Sequence, residues 1–255
     1  MVKSYESLTA ETAQRIKLLM ADVDGTLNTG GDQVSPAVRD AVKRLQASGI
    51  TLGLVSGRTG PLLESMALDL GIKGPIIAEN GATARLSLHS SPIDLGYSRQ
   101  PALDALNRLK ACYPGRIRER EDNSHRTIDI VFWADGLKMK EIKECAGDVE
   151  VLDSTFILHV MQKGIDKGKT LKKLLGLMDG GKLKADEVLV IGDSMTDISL
   201  FRLFPVSVLV PNPNIPEQDA VTLRQTAGYI SGSQAGDGFV EMAMHLVKAR
   251  TQPGL

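Results

Sequence analysis

Residues 18–28 read Leu-Leu-Met-Ala-Asp-Val-Asp-Gly-Thr-Leu-Asn and pass abruptly from an apolar run into two carboxylates, Asp22 and Asp24. A short apolar run bounded by a turn predicts a buried strand. In an open parallel sheet, ligands bind just beyond the carboxyl ends of the strands. Side chains two positions apart on an extended chain share one face, so both carboxylates can reach one substrate. Gly25 permits a sharp turn after them. The alternative is a surface turn that is merely rich in Asp and Gly.

Helix-period segments and apolar runs alternate on both sides of a central stretch of different character. Ser35-Pro36 predicts a helix start, with an N-cap followed by a proline at the first position. Buried strands are predicted at Ile50 to Val55 and Ile76 to Ala78, and again at Val188 to Ile191 and Val206 to Val210. Strands that alternate with helices indicate a parallel sheet. We therefore expect an α/β fold with a Rossmann-like, doubly wound core.

The central stretch, residues 83–160, has weaker and more antiparallel signals. β-like segments are predicted at 127–133, 149–152 and 155–161, and a helix over 102–109. We therefore expect an inserted α+β domain that interrupts the core. The expected division is a core domain at 1–82, the insert at 83–160, and the second part of the core at 161–255.

The composition restricts the classes of function. The 255 residues are 42% hydrophobic and 24% charged, as in an ordinary globular protein, and the formal net charge is −1. No global field therefore favours nucleic acid or an anionic membrane, and no window approaches the roughly 20 apolar residues of a membrane span. Residues 1–12 are polar and acidic, unlike a signal peptide. We expect a cytoplasmic protein, a monomer or a homodimer, with residues 1–14 as a loosely held lead-in.

The two cysteines, Cys112 and Cys145, are too far apart in the sequence for a metal-binding or redox pair motif. We expect them to be free thiols, as is usual in a reducing cytoplasm.

The residues that follow the predicted strands supply what phosphoryl transfer needs. That reaction requires an in-line nucleophile, neutralisation of charge on the phosphoryl oxygens and a proton donor for the leaving oxygen. Asp22 is the candidate nucleophile, which would form an aspartyl-phosphate, and Asp24 is the candidate general acid and base. Ser56 follows the next strand and is a candidate hydrogen-bond donor to phosphate near a helix start. A plain helix N-cap is the alternative role for Ser56.

Further charged residues lie after predicted strands later in the chain. Lys167 lies between a strand and a helix, where its ammonium group would neutralise phosphate and nucleophile together. The alternative is a solvated lysine like its neighbours. Asp193 and Asp197 add negative charge, for which stabilisation of a helix N-terminus is the alternative role. Four carboxylates would repel one another unless a cation lay among them, and Mg²⁺ prefers such oxygen ligands.

The order of these motifs resembles that of the haloacid dehalogenase-like (HAD) phosphatases. Asp-Val-Asp-Gly-Thr at 22–26 is followed by a strand that ends at Ser56, then by Lys167, then by Gly-Asp-Ser-Met-Thr-Asp at 192–197. Each motif is ambiguous alone, but the order of all four is typical of that superfamily. The resemblance implies an enzyme, a Mg²⁺-dependent phosphatase that acts on a small phosphorylated metabolite.

The resemblance also implies a metal site. Asp22, Asp193 and the backbone carbonyl of Asp24 would hold Mg²⁺, and Asp197 would support them. The chain departs from the pattern at Thr196, where the similar capped members usually have Asn. A threonine can still form hydrogen bonds there, but the loop geometry differs.

The insert falls between the serine and lysine motifs, which resembles the C2-type cap of Cof-like and sugar-phosphate members. Within that group the chain looks most like the archaeal-type phosphoglycolate phosphatases, on residues 74–81, 159–167 and 188–193. This resemblance makes phosphoglycolate the expected substrate. The candidate substrate-binding residues are Gly57, Arg58, Asn80, Arg126, His159 and Asn212. For His159, a satisfied polar residue at a domain boundary is the alternative. For the role of Arg126, the nearby Arg116, Arg118 and Arg120 are alternatives.

Other functions remain open at this point. A sugar-phosphate phosphatase or a phosphomutase would use the same core residues, and a non-catalytic phosphate-binding protein could share the scaffold. Gly164 to Thr170 ends in Gly-Lys-Thr and resembles a P-loop of an NTPase, but Lys163 stands where that motif requires its first glycine. Gly192-Asp193-Ser194 resembles a serine esterase motif, but a downstream Asp-x-x-His is missing.

Overall fold

The computed structural model describes residues 2–31, 33–154 and 157–251, which form two β-sheets covered by helices. The strands are β1 (Lys3–Ser4), β2 (Leu18–Ala21), β3 (Thr51–Val55), β4 (Ile76–Ala78), β5 (Thr83–Arg85), β6 (Ile117–Glu119), β7 (Ile130–Ala134), β8 (Val149–Asp153), β9 (Leu158–Gln162), β10 (Val188–Gly192), β11 (Val206–Leu209) and β12 (Tyr229–Ile230). The helices are α1 (Ala10–Arg15), α2 (Pro36–Ala47), α3 (Gly60–Leu70), α4 (Gln100–Cys112), α5 (Met139–Ala146), α6 (Lys167–Leu177), α7 (Ile198–Leu203), α8 (Glu217–Thr226) and α9 (Ala235–Thr251). In this described part of the chain, no helix has the length and apolar character that a membrane span requires.

The larger sheet has the strand order β1-β12-β11-β10-β2-β3-β4-β5. It is parallel except at one edge, where β5 pairs antiparallel with β4. The chain builds outward from β2 in one direction through β3 and β4, and later in the other direction through β10 and β11. Ligands bind at such a reversal of strand order, beyond the carboxyl ends of the strands. The expected doubly wound α/β core is confirmed, and β2 lies at its centre.

Side chains of β2 alternate between two apolar layers. Leu19 and Ala21 pack in the layer that contains α2, α3 and α9, whereas Leu18 and Met20 pack in the layer that contains α6 and α7. All four are buried, because a strand covered by helices on both faces has no polar side. The predicted start of α2 is also confirmed, since Oγ of Ser35 accepts the N–H of Val38 at 3.2 Å.

The smaller sheet is antiparallel, with the order β6-β7-β9-β8, and packs against α4 and α5. We call this unit, residues 100–162, the cap. Its strands β7 and β8 confirm two of the predicted β-like segments. The strand predicted at 155–161 begins outside the described residues and continues as β9. The inserted α+β fold is therefore confirmed, whereas the domain limits at 83 and 160 stay a prediction.

Two expectations from the sequence are wrong. Cys112 and Cys145 form a disulfide and are not free thiols. They are 33 residues apart, but α4 and α5 pack side by side and bring the sulfurs together. The N-terminal segment is not a loose lead-in either, since β1 pairs with β12 and both Leu8 and Ala13 are buried in the core.

Glu79 joins the core sheet to the cap. It follows β4 with a left-handed φ of +51°, a conformation that is unfavourable for a residue with a side chain. Its buried carboxylate accepts the backbone N–H groups of Thr127 and Ile128 at 2.8 Å and that of Asp129 at 3.0 Å. Burial and the nearby charge of Asp129 raise the pKa of Glu79, and the three N–H donors oppose this rise. The strained turn is thus stabilised by the hydrogen bonds that it makes to the cap.

A second buried network lies beside Glu79. Asp129 is fully buried, and both its oxygens accept from Nη1 of Arg126, at 2.7 and 2.9 Å. Nδ1 of His159 lies 2.7 Å from Asp129 Oδ2. Nη1 of Arg126 also donates across the junction to the carbonyl oxygen of Gly57 at 3.0 Å. Burial alone would raise the pKa of Asp129, but His159 and then Arg126 outweigh it and lower that pKa below its usual value.

We expect Gly168→Ala to destabilise the protein by about 1–3 kcal/mol, because a Cβ there would lie 2.4 Å from the backbone oxygen of Ser199 and push α6 away from α7. Gly176→Ala, on the same helix, is the matched control, because no atom of the described residues outside its own helix lies within 4 Å of the added Cβ. It should be neutral or stabilise the helix by up to about 1 kcal/mol. Urea unfolding followed by circular dichroism measures both. Equal changes in the free energy of unfolding for the two variants would contradict the close contact between α6 and α7.

We expect Asp129→Asn to lower the free energy of unfolding at pH 7 by about 1–3 kcal/mol, because it removes the buried charge and replaces one of the two accepting oxygens by an NH₂ group that faces a donor of Arg126 or His159. The folded-state pKa of Asp129 is lowered, so its contribution is complete above the unfolded-state pKa of about 3.9 and is lost as the pH falls through the folded-state value.

The difference in the free energy of unfolding between wild type and Asp129→Asn should therefore become smaller as the pH falls below about 4. Asp148→Asn, which removes an exposed pair with Lys163, is the control and should change the unfolding free energy by less than about 1 kcal/mol. Urea unfolding over a pH series measures these effects. If the loss of unfolding free energy in Asp129→Asn stays constant with pH, Asp129 is not the ionised partner of Arg126 and His159.

Candidate active site

Three buried carboxylates meet beyond the carboxyl ends of the central strands. Asp22 follows β2, Asp193 follows β10, and Asp197 ends the short 3-10 turn that comes next. An oxygen of each lies within 4.8 Å of an oxygen of the other two. The parallel pairing that aligns Ala21 with Ile191 brings Asp22 beside Asp193. Side chains of two distant motifs thus lie in one cluster.

The turn after β2 fits closely around Asp193. Gly25 has a φ of +82°, and a Cβ there would lie 2.2 Å from Oδ2 of Asp193, so no other residue fits without a shift. The hydroxyl of Thr26 donates to Oδ1 of Asp193 at 3.1 Å, and Nδ2 of Asn212 donates to Oδ2 at 2.5 Å. The Asp-Gly-Thr motif therefore both turns the chain and orients the carboxylate of a neighbouring strand.

Lys167 is the first residue of α6 and is buried, not solvated. Its ammonium group donates to Oδ1 of Asp22 and Oδ1 of Asp197, both at 2.7 Å, and to Oγ1 of Thr196 at 3.0 Å. Burial alone would lower the pKa of Lys167, but the charges of Asp197 and Asp22 raise it above its usual value. The lysine is therefore a fixed positive charge beside Asp22. In the described residues no hydrogen bond reaches the other oxygen of Asp22.

The cluster carries more negative than positive charge. Lys167 supplies one positive charge to three carboxylates. Burial, with the charge of Asp197, raises the pKa of Asp193 to about 7. Burial also raises the pKa of Asp22 well above its usual value, with the other two aspartates adding to the effect and Lys167 opposing it. A closed set of hard oxygen ligands with excess negative charge fits a divalent cation such as Mg²⁺.

Asp197 holds the loop that follows β10. Its Oδ2 accepts the backbone N–H groups of Asp193 and Ser194, each at 3.1 Å, while its Oδ1 accepts from Lys167. Thr196 is the position at which the resemblance of the motif implies Asn. Its hydroxyl lies 2.9 Å from the hydroxyl of Ser194 and accepts from Lys167. The threonine therefore keeps a polar contact with the lysine.

Asp24 lies apart from this cluster and is paired with Arg58. Nε of Arg58 donates to Oδ2 of Asp24 at 2.8 Å, and Nη2 donates to Oδ1 at 2.7 Å. Nη2 also donates to the carbonyl oxygen of Gly31 at 2.5 Å. This two-pronged pair is the geometry in which a guanidinium group binds a carboxylate most specifically. Neither oxygen of the candidate general acid is without a partner.

The loop after β3 forms another wall of the site. The hydroxyl of Ser56 accepts the backbone N–H of Arg58 at 3.2 Å, and the carbonyl of Ser56 accepts from the N–H of Asn80 at 3.0 Å. A Cβ on Gly57 would lie 3.0 to 3.2 Å from atoms of Asn80 and His159, so these three residues are in close contact. The buried amide nitrogen Nδ2 of Asn80 has no partner among the described residues. It is a hydrogen-bond donor that a ligand could use.

One cavity of about 530 Å³ collects these groups. Of the residues singled out in the sequence, those that line it are Asp22, Asp24, Ser56, Gly57, Arg58, Asn80, Arg126, His159, Lys167, Asp193, Thr196 and Asn212. Asp197 reaches it through Lys167. Arg120, one of the arginines that compete with Arg126 in the sequence, also lines the cavity, whereas sequence reasoning missed Asp122, which lines it too, and Asp129, which lies behind His159. An acidic residue inside the β-like run at 127–133 was the available signal for Asp129.

The P-loop interpretation finds no support in this geometry. Lys169, which would bind phosphate in that motif, is exposed and pairs with Asp166 at 3.0 Å. Asp166 caps α6 by accepting the backbone N–H of Lys169. The buried lysine of this segment is Lys167, two residues earlier.

The sequence as a whole is similar to known proteins. The family model of haloacid dehalogenase-like hydrolases matches residues 19–96 and 104–241. A phosphoglycolate phosphatase of Methanospirillum hungatei is 32% identical over 228 residues, which cover 88% of this chain and 94% of that protein. Another phosphoglycolate phosphatase, of Picrophilus torridus, is 31% identical over 232 residues, which cover 90% of this chain and 91% of that protein.

Solved structures share the fold. A protein of Thermoplasma acidophilum superposes with a TM-score of 0.76 at 24% identity, covering 91% of this chain and 98% of that one. The sucrose-phosphatase of Synechocystis, solved with sucrose and phosphate, superposes with a TM-score of 0.68 at 18% identity, covering 90% of this chain and 97% of that one. The match to the family model, the similarity to the relatives and the shared fold all agree with the family that the order of the motifs indicates. The chain therefore belongs to the haloacid dehalogenase-like hydrolase family, and the enzyme class expected from its motifs, a phosphatase, is confirmed.

Proposed function

We propose that this protein is a Mg²⁺-dependent phosphomonoester hydrolase that forms an aspartyl-phosphate on Asp22 and acts on phosphoglycolate. The observation that carries this proposal is the buried cluster at the cavity, in which Lys167 donates to both Asp22 and Asp197 while Asp193 lies beside them. Phosphoryl transfer is catalysed mainly by positioning and by neutralisation of charge, and this cluster supplies both.

Each step has a residue suited to it. Lys167 fixes Oδ1 of Asp22, so the other oxygen attacks the phosphorus atom. The ammonium group offsets negative charge on the phosphoryl oxygens, and the hydroxyl of Ser56 donates a hydrogen bond to one of them. Asp24 donates a proton to the leaving alkoxide, then takes a proton from the water that attacks the aspartyl-phosphate. Bound by Asp22, Asp193 and the carbonyl of Asp24, with Asp197 in support, Mg²⁺ would supply further charge neutralisation to carboxylates and phosphate.

Two facts support phosphoglycolate as the substrate. Relatives that are 31 and 32% identical over most of the chain carry that name. The cavity also has guanidinium groups, on Arg58 and Arg120, that suit a carboxylate. A sugar-phosphate phosphatase is the second candidate, because a cavity of about 530 Å³ has room for more than a two-carbon ester. A screen over phosphoglycolate, sugar phosphates and nucleotides separates the two, and consumption of substrate without release of inorganic phosphate would identify a phosphomutase.

We expect Asp22→Asn to lower kcat for an aryl phosphate by at least about 10³-fold, because the amide is not a nucleophile. Asp186→Asn, an exposed aspartate that pairs with Arg15, is the control and should keep wild-type turnover. Release of the phenol is measured by absorbance with Mg²⁺ present. Full activity of Asp22→Asn would exclude the nucleophile assignment. Loss of ATP or GTP hydrolysis in Lys169→Ala, with Asp22→Asn harmless, would favour the P-loop enzyme instead.

We expect EDTA to abolish turnover of the wild-type protein and added Mg²⁺ to restore it. Mg²⁺ should also raise the midpoint of thermal unfolding, since a ligand at 100 times its Kd stabilises the folded state by about 2.7 kcal/mol. Asp193→Asn should lose most of this rise, because it removes a charged ligand from the cluster. Asp148→Asn, which is exposed, should keep it. Turnover that persists in EDTA would contradict metal dependence.

A further inference from the structure

The pair between Arg58 and Asp24 has a consequence for the choice of substrate. Both oxygens of Asp24 accept from the guanidinium group, at 2.7 and 2.8 Å. The pair borders the cavity and stays in reach of solvent, with 34% of the Asp24 side chain and 13% of the Arg58 side chain exposed. To donate a proton to the leaving oxygen of an ester, Asp24 must use one of these oxygens as an O–H donor, and that oxygen is then no longer the charged acceptor that Arg58 binds. The pair must therefore open or shift before Asp24 can act.

The chemistry of a phosphorylated 2-hydroxy acid provides a partner for this shift. The leaving oxygen must contact Asp24, and the carboxylate carbon of such a substrate is only two bonds from that oxygen. The carboxylate therefore arrives beside whatever group is paired with Asp24, and that group is Arg58. A guanidinium group binds a carboxylate through two parallel hydrogen bonds, and the substrate offers the same acceptor that Asp24 does.

We propose that Arg58 recognises the carboxylate of the substrate, and that its move from Asp24 to this carboxylate frees Asp24 to contact the ester oxygen. The inference rests on the proposed function and specifies it further, as selectivity for phosphate esters of 2-hydroxycarboxylic acids. Such a substrate exchanges one carboxylate partner of Arg58 for another. A neutral ester must separate Arg58 from Asp24 without offering Arg58 a new carboxylate, so the transition state of that ester is stabilised less.

The other cations of the cavity are engaged elsewhere. Lys167 is buried and donates to three acceptors. Arg126 donates to Asp129, Asp122 and the carbonyl of Gly57. Arg120 is exposed and pairs with Asp122 at 3.1 Å. Among these described groups, Arg58 is the one paired with the candidate general acid, Asp24, which is why recognition of the substrate and protonation of the leaving oxygen meet at this residue.

The test compares kcat/KM for phosphoglycolate and for 2-hydroxyethyl phosphate, which has the same two-carbon skeleton with a neutral hydroxyl group. We expect the wild type to prefer phosphoglycolate and Arg58→Gln to reduce this preference about 10- to 100-fold, the range for a hydrogen bond to a charged group. Arg58→Lys should retain part of the preference, because it keeps the charge but not the two-pronged geometry. Arg44→Gln removes a surface arginine that pairs with Asp40 and should leave the preference unchanged.

Each outcome decides one question. A wild type that prefers phosphoglycolate, with Arg58→Gln and Arg58→Lys lowering kcat/KM equally for both esters, would overturn the inference, because Arg58 would then only position Asp24. Loss of the preference in Arg120→Gln and not in the Arg58 variants would assign recognition to Arg120 and also overturn it. A wild type that cleaves aryl phosphates without preferring phosphoglycolate would refute the proposed substrate itself. Circular dichroism of each variant checks folding, and Arg58→Lys serves if Arg58→Gln does not fold.

Discussion

The ammonium group of Lys167, buried between Asp22 and Asp197, is the interaction on which the rest of the site depends. Removing an ion from water costs several kcal/mol, and such a group persists only with closely placed partners. The buried carboxylates of Asp22 and Asp197 need the positive charge of Lys167 for the same reason. The start of α6 and the carboxyl ends of β2 and β10 must therefore lie in fixed relative positions. The close contact of Gly168 with Ser199 lets α6 lie at the position in which Lys167 reaches both carboxylates.

The core sheet and the acidic cluster could be predicted from the sequence because both depend on local patterns. Asp22, Ser56 and Asp193 each follow an apolar run whose length and composition specify a buried strand. Parallel strands that are neighbours in a sheet bring their carboxyl ends to one edge. Once the strands are identified, the convergence of these three residues follows from the topology. The order of the motifs then indicates the family.

Partners set by packing between distant segments could not be predicted in this way. Arg58 pairs with Asp24, 34 positions earlier, and no periodicity indicates which carboxylate a guanidinium group will meet. The disulfide between Cys112 and Cys145 depends on two helices of the cap that pack together, and the sequence gives no signal of their contact. The N-terminal strand β1 has only two residues, too few for a pattern, and is fixed by its pairing with β12.

The contact between Arg126 and the carbonyl of Gly57 has a mechanical consequence. Gly57 belongs to the loop that presents Ser56 to the cavity, while Arg126 is anchored in the cap by Asp129 and Asp122. A swing of the cap away from the sheet would have to break this hydrogen bond or displace the loop that carries Ser56. The position of the cap and the conformation of the loop beside the cavity are therefore linked through a single hydrogen bond.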